Sequence, residues 1–253
     1  MVCWRRWKGK RAGLTADEIS GNIFAINFAG HDMIVIALHF ALTLLAAHQD
    51  VQEWMHEDII AVFGEPGNDE WAYGAFTKLN RCHAVFLETL RLFVPITGVP
   101  KMSTKRAVNL QVGDQTVPIL PDIEAFPNLL GIQTDARYWG RALRVAAVAV
   151  DSTLWGSWRG RAKCVGEKFS QVEGVAVLAR LLHHHQLRVE RDDWETGEDA
   201  KARTLGRLND VNNNSLLRMN HAERLKLQNE YNVAMFVALF EIPNFESTFS
   251  IRI

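Results

Sequence analysis

The sequence predicts a mainly α-helical fold with small β-sheets. Thr15 and Glu18 form a Thr-x-x-Glu capping box, and the apolar run that follows it contains no proline before Ala47. Two more helical patterns span residues 50–63 and 77–93 and end at glycine- and proline-containing loops. In the middle of the chain the period of the apolar residues changes toward two, which indicates a small β-sheet.

Composition and charge restrict the class of protein. The 253 residues are 48% hydrophobic and 23% charged, which suffices for the core of one large or two small domains. A formal net charge of -1 gives no overall attraction to nucleic acid, so we expect no nucleic-acid partner. Cys3, Cys82 and Cys164 are too few and too scattered for a disulfide framework, which indicates a reducing compartment.

The N-terminal residues 1–13 form a basic segment without the apolar stretch that a secretion signal requires. We interpret it as a solvated tail rather than a membrane or nucleic-acid patch, because short basic runs are common. The most apolar window, residues 23–47, is interrupted by polar residues, so the sequence predicts a helix inside a large protein and no membrane anchor.

The first predicted helix is apolar on nearly all faces, and such a helix belongs in the centre of a domain. Within it, burial of the polar residues in Gly30-His31-Asp32 would cost free energy unless they are hydrogen-bonded or have a function. Taken alone, a polar segment of this kind is more often a hydrogen-bonded part of the core than a functional site.

The helix over 77–93 carries Glu88 and Arg91, which are three residues apart and therefore neighbours on one face. Taken alone, a Glu-x-x-Arg pattern is most often an exposed surface pair.

The segment after this helix reads as a β-hairpin. Its strands are predicted at 108–112 and 116–119, with the turn at Gly113 and Asp114. Residues 121–140 are predicted to be mostly irregular.

The later part of the chain alternates short elements. They are a helix over 169–182, a strand over 187–190, a charged and mobile excursion over 191–207, and a returning strand over 212–219. The helix ends in three consecutive histidines, His183 to His185. Consecutive residues point to different faces of a helix, which argues against a zinc site there.

The loop before that helix offers one sulfur. Cys164 stands between Gly160 and Gly166, with Arg161 and Lys163 beside it. Glycines allow close approach of a flat bulky ligand, and cationic neighbours with a following helix N-terminus favour thiolate over thiol. The loop therefore predicts a metal-binding cysteine.

Three signals, in this order and spacing, resemble the C-terminal half of a cytochrome P450 of the eukaryotic microsomal type. They are Phe28-Ala29-Gly30-His31-Asp32, Glu88-Thr89-Leu90-Arg91, and the cysteine loop from Gly160 to Gly166. The resemblance implies a partial cytochrome P450 fold: a central long helix, a Glu-x-x-Arg helix, and the cysteine loop with its following helix. It divides the chain into the basic tail 1–13, a truncated cytochrome P450 domain 14–230 and a C-terminal extension 231–253 of unknown role.

The resemblance also implies a cofactor site. Cys164 would be the axial thiolate ligand of a haem iron, and backbone amides near Val165 and Gly166 would hydrogen-bond its sulfur. Gly160 and Arg161 would belong to the same haem-binding loop. Glu88 and Arg91 would form a buried pair that holds the neighbourhood of this loop.

On the oxygen side of the haem, the resemblance places Gly30, His31 and Asp32, with Asp32 in a proton-delivery relay. The implied reaction inserts one oxygen atom from O2 into an apolar small-molecule substrate. Electrons would come from NADPH through a separate reductase. Family members are usually anchored in the endoplasmic reticulum membrane, whereas no anchor is recognised in this chain.

The chain departs from the family pattern at several positions. Met33 stands where a threonine usually follows the acid, and a thioether cannot donate a proton. Ser157 and Ala162 replace a phenylalanine and an arginine of the haem loop, and only Arg141 or Arg144 could supply a further arginine to the Glu88–Arg91 pair. These departures favour the alternative of a non-catalytic, truncated cytochrome P450 remnant with weak or no haem binding. A further alternative, a plain helical interaction protein, ranks last because it requires all three motifs to be coincidental.

Overall fold

The computed structural model describes residues 13–66, 71, 73–103, 105–139, 163–213, 216–222, 225 and 227–229. The helices are α1 (Ala16–Ala47), α2 (Gln49–Phe63), α3 (Asn80–Leu92), α4 (Leu129–Thr134), α5 (Ala136–Trp139), α6 (Glu167–His184) and α7 (Gly197–Arg207), with a 3-10 helix over Tyr73–Lys78.

The strands form four antiparallel pairs within the described residues. The pairs are β1 (Lys101–Met102) with β4 (Glu124–Ala125), β2 (Val108–Val112) with β3 (Gln115–Ile119), β5 (Leu187–Val189) with β8 (Leu227–Asn229), and β6 (Val211–Asn213) with β7 (Leu217–Met219). A mainly helical fold with small sheets is thereby confirmed.

The capping box begins α1 where the sequence predicts it. The Glu18 backbone N–H donates to Thr15 Oγ1 at 3.2 Å, and the Thr15 N–H donates to Glu18 Oε2 at 2.9 Å. Both bonds satisfy N–H groups that an uncapped helix start would leave without partners. The helix ends at Ala47, as predicted.

The main core joins the second half of α1 with α2, α3 and α6. Its fully buried side chains include Leu45, Met55, Ile59, Phe86, Leu178 and Leu182. A second apolar cluster connects α1 to α7 and to the β6–β7 pair, through Ile36, Phe40, Leu208 and Met219. The C-terminal half of α1 is therefore the element that both clusters share.

The first half of α1 differs from the expectation of a wholly interior helix. Every residue from 16 to 31 except Asn22 is exposed, and large apolar side chains are among them: Ile19, Ile23, Phe24, Ile26 and Phe28 are between 45% and 62% exposed. The expectation is right for the second half of the helix and wrong for the first. By length and composition α1 could also cross a membrane, although 44% of its most apolar window is buried inside the protein.

The predicted mobile excursion over 191–207 is wrong, because residues 197–207 form α7. Thr196 and Asp199 make a capping box at its start, with the Asp199 N–H donating to Thr196 Oγ1 at 3.2 Å. Arg203 then contacts both carboxylate oxygens of Glu195, at 2.7 and 2.9 Å. The Thr-x-x-Asp pattern was a usable sequence signal for this helix.

Two other boundaries need correction. The helix predicted from residue 77 begins at Asn80, because residues 73–78 form the 3-10 helix. The segment 121–140, expected to be mostly irregular, contains β4, α4 and α5. In α4, the Gly131 N–H donates to the Asn128 side chain, a local cap at the helix start.

Candidate haem-thiolate site

Cys164 lies on the surface directly ahead of α6. It is exposed, and Gly166, the residue before the first turn of α6, would bring an added Cβ within 3.8 Å of the Cys164 sulfur. An ion pair between Lys163 and Glu167 connects the cysteine loop to the start of α6. The thiol is therefore presented to solvent from the end of a packed helix.

The other described cysteine is unsuited to metal binding. Cys82 is completely buried in α3, and burial, together with the nearby Asp58 carboxylate, raises the pKa of its thiol to about 12. At neutral pH it is a protonated, inaccessible side chain. Of the two cysteines in the described residues, only Cys164 can offer a sulfur to an incoming group.

The surroundings of Cys164 fit a flat apolar cofactor. Val165 is 94% exposed and Phe169 is 74% exposed, so the residues that follow Cys164 in the chain present apolar surface. A shallow groove continues along α6, lined by Lys168, Phe169, Val172, Glu173 and Ala176. A single accessible sulfur beside apolar surface is the donor type that a haem with an axial thiolate requires.

Part of the predicted haem loop lies outside the described residues. Gly160 and Arg161 belong to this part, as do Ser157 and Ala162. Arg141 and Arg144, the two candidates for a further arginine beside the Glu88–Arg91 pair, also lie outside the described residues.

Glu88 and Arg91 form a bidentate ion pair on α3. Arg91 Nε donates to Glu88 Oε2 at 2.7 Å, and Arg91 Nη2 donates to Glu88 Oε1 at 2.6 Å. Their side chains are 22% and 10% exposed, respectively. The structure thus gives the pair the largely buried environment that the family resemblance implies and that the surface-pair interpretation does not.

Arg91 also connects α3 to the segment after the hairpins. Its Nη1 donates to the Gln133 backbone carbonyl at 2.6 Å, and its guanidinium lies 4.8 Å from the centre of the Trp139 ring. In return, Gln133 Nε2 donates to the carbonyls of Leu90 and Arg91. Gln133 and Trp139 were not predicted as site residues, and no sequence signal identifies them, because they follow Arg91 by more than 40 positions.

The third group of predicted site residues, Gly30 to Asp32, lies on α1, and its aspartate pairs with an arginine of β7. Asp32 Oδ2 accepts a hydrogen bond from Arg218 Nη2 on β7 at 3.1 Å, and the Asp32 side chain is 28% exposed. Gly30 and His31 lie just ahead of it on the exposed half of α1. Met33 packs against the cluster of Ile36 and Phe40. Arg218 was not predicted, since it lies 186 positions from Asp32.

Comparison with known proteins identifies the family. The family model described as Cytochrome P450 matches residues 5–145, more than half of the chain. "Cytochrome P450 monooxygenase 124" of Postia placenta is 31% identical over 208 residues, which cover 76% of this chain and 39% of that protein. "Cytochrome P450 monooxygenase AOL_s00215g278" of Arthrobotrys oligospora is 28% identical over 225 residues, covering 75% of this chain and 38% of the relative.

Solved structures show the same fold. The crystal structure of a cytochrome P450 (CYP102L1) matches with a TM-score of 0.66 at 21% identity, covering 85% of this chain and 46% of that one. Retinoic acid bound cyanobacterial CYP120A1 matches with a TM-score of 0.68 at 16% identity, covering 86% and 47%. The chain thus spans less than half the length of each of these four proteins. It belongs to the cytochrome P450 family and has a partial cytochrome P450 fold.

Proposed function

We propose that this chain carries the haem-thiolate site of a monooxygenase that inserts one oxygen atom from O2 into an apolar organic substrate. The observation that carries the proposal is Cys164, an accessible thiol at the start of α6 in a chain of the cytochrome P450 family.

Several residues would hold the haem. Cys164 would bind the iron, while the backbone amides of Val165 and Gly166 would donate hydrogen bonds to its sulfur and tune it. Gly160 and Arg161 would complete the loop. When bound, a thiolate-ligated haem supplies the electron density that favours O–O cleavage.

Glu88 and Arg91 would act at a distance from the reacting atoms. Their ion pair, extended to Gln133, fixes the end of α3 against α4. Because α3 also packs against α6, the pair would hold the helix that follows the cysteine loop in place. This is a positioning role.

Asp32 would carry protons toward the oxygen side through its carboxylate, with Gly30 and His31 forming the adjoining part of α1. Arg218 orients this carboxylate through its hydrogen bond to Oδ2. Removing the Arg218 side chain would free the carboxylate to take other partners. Electrons would arrive from NADPH through a separate reductase, at the endoplasmic reticulum membrane.

A second candidate is a non-catalytic member of the family with weak or no haem binding. Two observations favour it: Met33, in place of a hydroxyl side chain, cannot donate a proton, and the first half of α1 is uncovered.

Carbon monoxide binding separates the two candidates. The full chain is expressed with haem supplied, reduced and exposed to carbon monoxide, and the absorption spectrum is recorded. Thiolate ligation predicts a red-shifted Soret band that Cys164→Ser abolishes. The matched control Cys82→Ala should keep the band, because Cys82 is buried in α3.

A band that persists in Cys164→Ser would contradict the assignment of the ligand. Failure of the unsubstituted chain and the control alike to give the band would favour the non-catalytic candidate.

A further inference from the structure

His83 on α3 connects that helix to the first turns of α6. The Gln171 side chain of α6 hydrogen-bonds its imidazole, and the Phe76 ring of the 3-10 helix meets it edge-on, with ring centres 5.8 Å apart. The two helices pack closely here, since Phe86 of α3 lies against Gly174 of α6. The imidazole is therefore held between α6 and the 3-10 helix.

One ring nitrogen of His83 lacks a partner. Nε2 is buried and makes no hydrogen bond within the described part of the chain, which leaves Nδ1 to bond Gln171. A neutral imidazole tolerates this arrangement, because Nε2 can remain a lone pair while Nδ1 carries the hydrogen. A protonated imidazole has hydrogens on both nitrogens, so it would bury an N–H and a positive charge without an acceptor.

The charged groups around His83 add to this effect. Lys168 of α6 repels a positive charge on the imidazole. On α3, the adjacent Cys82 is a protonated thiol, on which the Asp58 carboxylate of α2 acts. Burial and then Lys168 lower the pKa of His83 below its ordinary value of 6.5, and the bond to Gln171 offsets them only in part.

The first turn of α6 connects this interface to the cysteine loop. The Ser170 backbone N–H donates to the Gly166 carbonyl at 2.9 Å, and the Ser170 hydroxyl donates to the Glu167 carbonyl at 2.9 Å. Glu167 also pairs with Lys163, the residue before Cys164. A shift of the start of α6 relative to α3 would therefore move the segment that carries the thiol.

We propose that His83 is a positioning residue whose protonation releases the start of α6 from α3, so that mildly acidic pH displaces the cysteine loop. The protonated ring reaches water at Nε2 only by leaving its buried position, which breaks the bond to Gln171. His83 acts through α6 and touches no reacting atom. The consequence for haem ligation rests on the proposed function, whereas the release of α6 does not.

The direction of the pH effect follows from the lowered pKa of His83. Above about pH 6.5 the imidazole is neutral in both the docked and the released form, so the contact is complete. Below that pH the released form takes up a proton more readily than the docked form, and the docked form loses stability. Acid therefore weakens the contact, and a return to pH 7 restores it.

Hydrogen–deuterium exchange on the full chain measures the release. The amides of residues 170–174 lie in the first hydrogen-bonded turns of α6, and those of residues 178–182, in the main core, serve as an internal reference. After correction for intrinsic exchange, the ratio of protection in 170–174 to that in 178–182 should fall at least about threefold from pH 7 to pH 5.

Two variants test the assignment to His83. His83→Gln keeps a side chain that can bond Gln171 but does not titrate, so its protection ratio should stay constant over this pH range. Lys168→Met removes an exposed cation and should make the loss of protection smaller, because the pKa of His83 moves back toward its ordinary value.

His48→Gln is the matched control. Burial and the nearby Lys201 lower the pKa of His48, as burial and Lys168 lower that of His83, but His48 lies at the start of α2. This variant should keep the full pH response of residues 170–174.

Carbon monoxide spectra follow the consequence for the cysteine loop. In the chain supplied with haem, the thiolate-carbonyl band should diminish reversibly from pH 7 to pH 5. His83→Gln should move this loss to lower pH, whereas His48→Gln should behave as the unsubstituted chain does.

Three results would overturn the inference. They are a protection ratio that does not change with pH, an equal fall of the ratio in His83→Gln, and an equal loss of the carbonyl band in that variant. If His83→Gln does not fold, an undiminished response in Lys168→Met would overturn it instead. If no variant gives the band at any pH while the ratio falls as expected, the proposed haem ligation fails and the release of α6 stands.

Discussion

Several contacts at once hold the Arg91 side chain in one position. Its guanidinium makes two bonds to Glu88, donates to the Gln133 carbonyl and lies against the Trp139 ring. The planar fork of an arginine matches this arrangement, whereas a lysine offers a single charged point. The position therefore depends on geometry as well as charge.

Arg91→Ala should destabilise the protein by about 3–5 kcal/mol, because it leaves the largely buried Glu88 carboxylate without its partner. Arg91→Lys should recover only part of this loss. Urea unfolding followed by circular dichroism measures both values.

The control for this prediction is Arg137→Ala. Arg137 pairs with Asp135 at 2.5 Å, but its side chain is 80% exposed, so the change should cost much less stability than Arg91→Ala does. Similar losses in the two alanine variants would show that burial of the Glu88–Arg91 pair has no energetic consequence.

Gly174 is required by the close approach of α6 to α3. A Cβ added at Gly174 would lie 2.3 Å from Cε2 of Phe86, well inside van der Waals contact. We expect Gly174→Ala to destabilise the protein by about 1–3 kcal/mol through overpacking, measured as a lower melting temperature.

Gly206→Ala on α7 provides the matched change. No atom lies within 4 Å of its added Cβ, so better helix propensity should give an unchanged or higher melting temperature. A Gly174→Ala variant as stable as Gly206→Ala would contradict the packing argument.

At the scale of elements, α1 has one sequence pattern but two environments. Both halves carry large apolar side chains, the second half more of them, yet only the second is enclosed by α2, α3 and α6. Helical periodicity determines that the segment is a helix, while the number of neighbouring elements determines how much each residue contributes to stability.

Two phenylalanines on α1 measure this difference. Phe40 is 1% exposed and stacks on Phe93 with ring centres 4.3 Å apart, so Phe40→Ala should cost about 3–5 kcal/mol. Phe24 is 61% exposed, and Phe24→Ala should change stability by no more than about 0.5 kcal/mol. Chemical denaturation of both variants gives the comparison, and equal losses would mean that the first half of α1 is buried in solution.

For the whole molecule, partly buried histidines link stability to pH. Burial lowers the pKa of His39 on α1 from 6.5 to about 4. Between pH 6.5 and pH 4 the unfolded chain binds a proton at this histidine that the folded chain does not. The contribution of His39 to the free energy of unfolding is therefore complete above about pH 6.5 and is lost as the pH drops toward 4.

His39→Gln should therefore flatten the dependence of unfolding free energy on pH over this range, with a total effect of at most about 3 kcal/mol. Urea titrations at pH 7, 6 and 5 measure it. The variant should retain some slope, since burial also lowers the pKa of His83. A variant with the same slope as the unsubstituted protein would contradict the assignment to His39.

At the scale of the whole molecule, packing accounts for the failed prediction of a mobile segment over 191–207. The capping box of α7 is present in residues 196–199, but the high charge and few apolar residues of the segment predict mobility. Its order comes from contacts with other parts of the chain: Ala200, Thr204 and Leu208 are buried, and Arg203 binds Glu195 and the Glu190 carbonyl. Composition alone cannot reveal such contacts.

The sequence by itself determined the features that depend on neighbours within a few residues. These are the start of α1 at its capping box, the hairpin turn at Gly113, where φ is +57°, and the pairing of Glu88 with Arg91 one turn apart. Local hydrogen bonds and backbone preferences act over such distances in any context.

Only the tertiary structure decided which half of α1 is buried, that Arg91 binds Gln133, and that Asp32 binds Arg218. These contacts join residues that are 42 and 186 positions apart along the chain. They form because helices and strands pack together, and packing depends on the shapes and positions of all neighbouring elements at once.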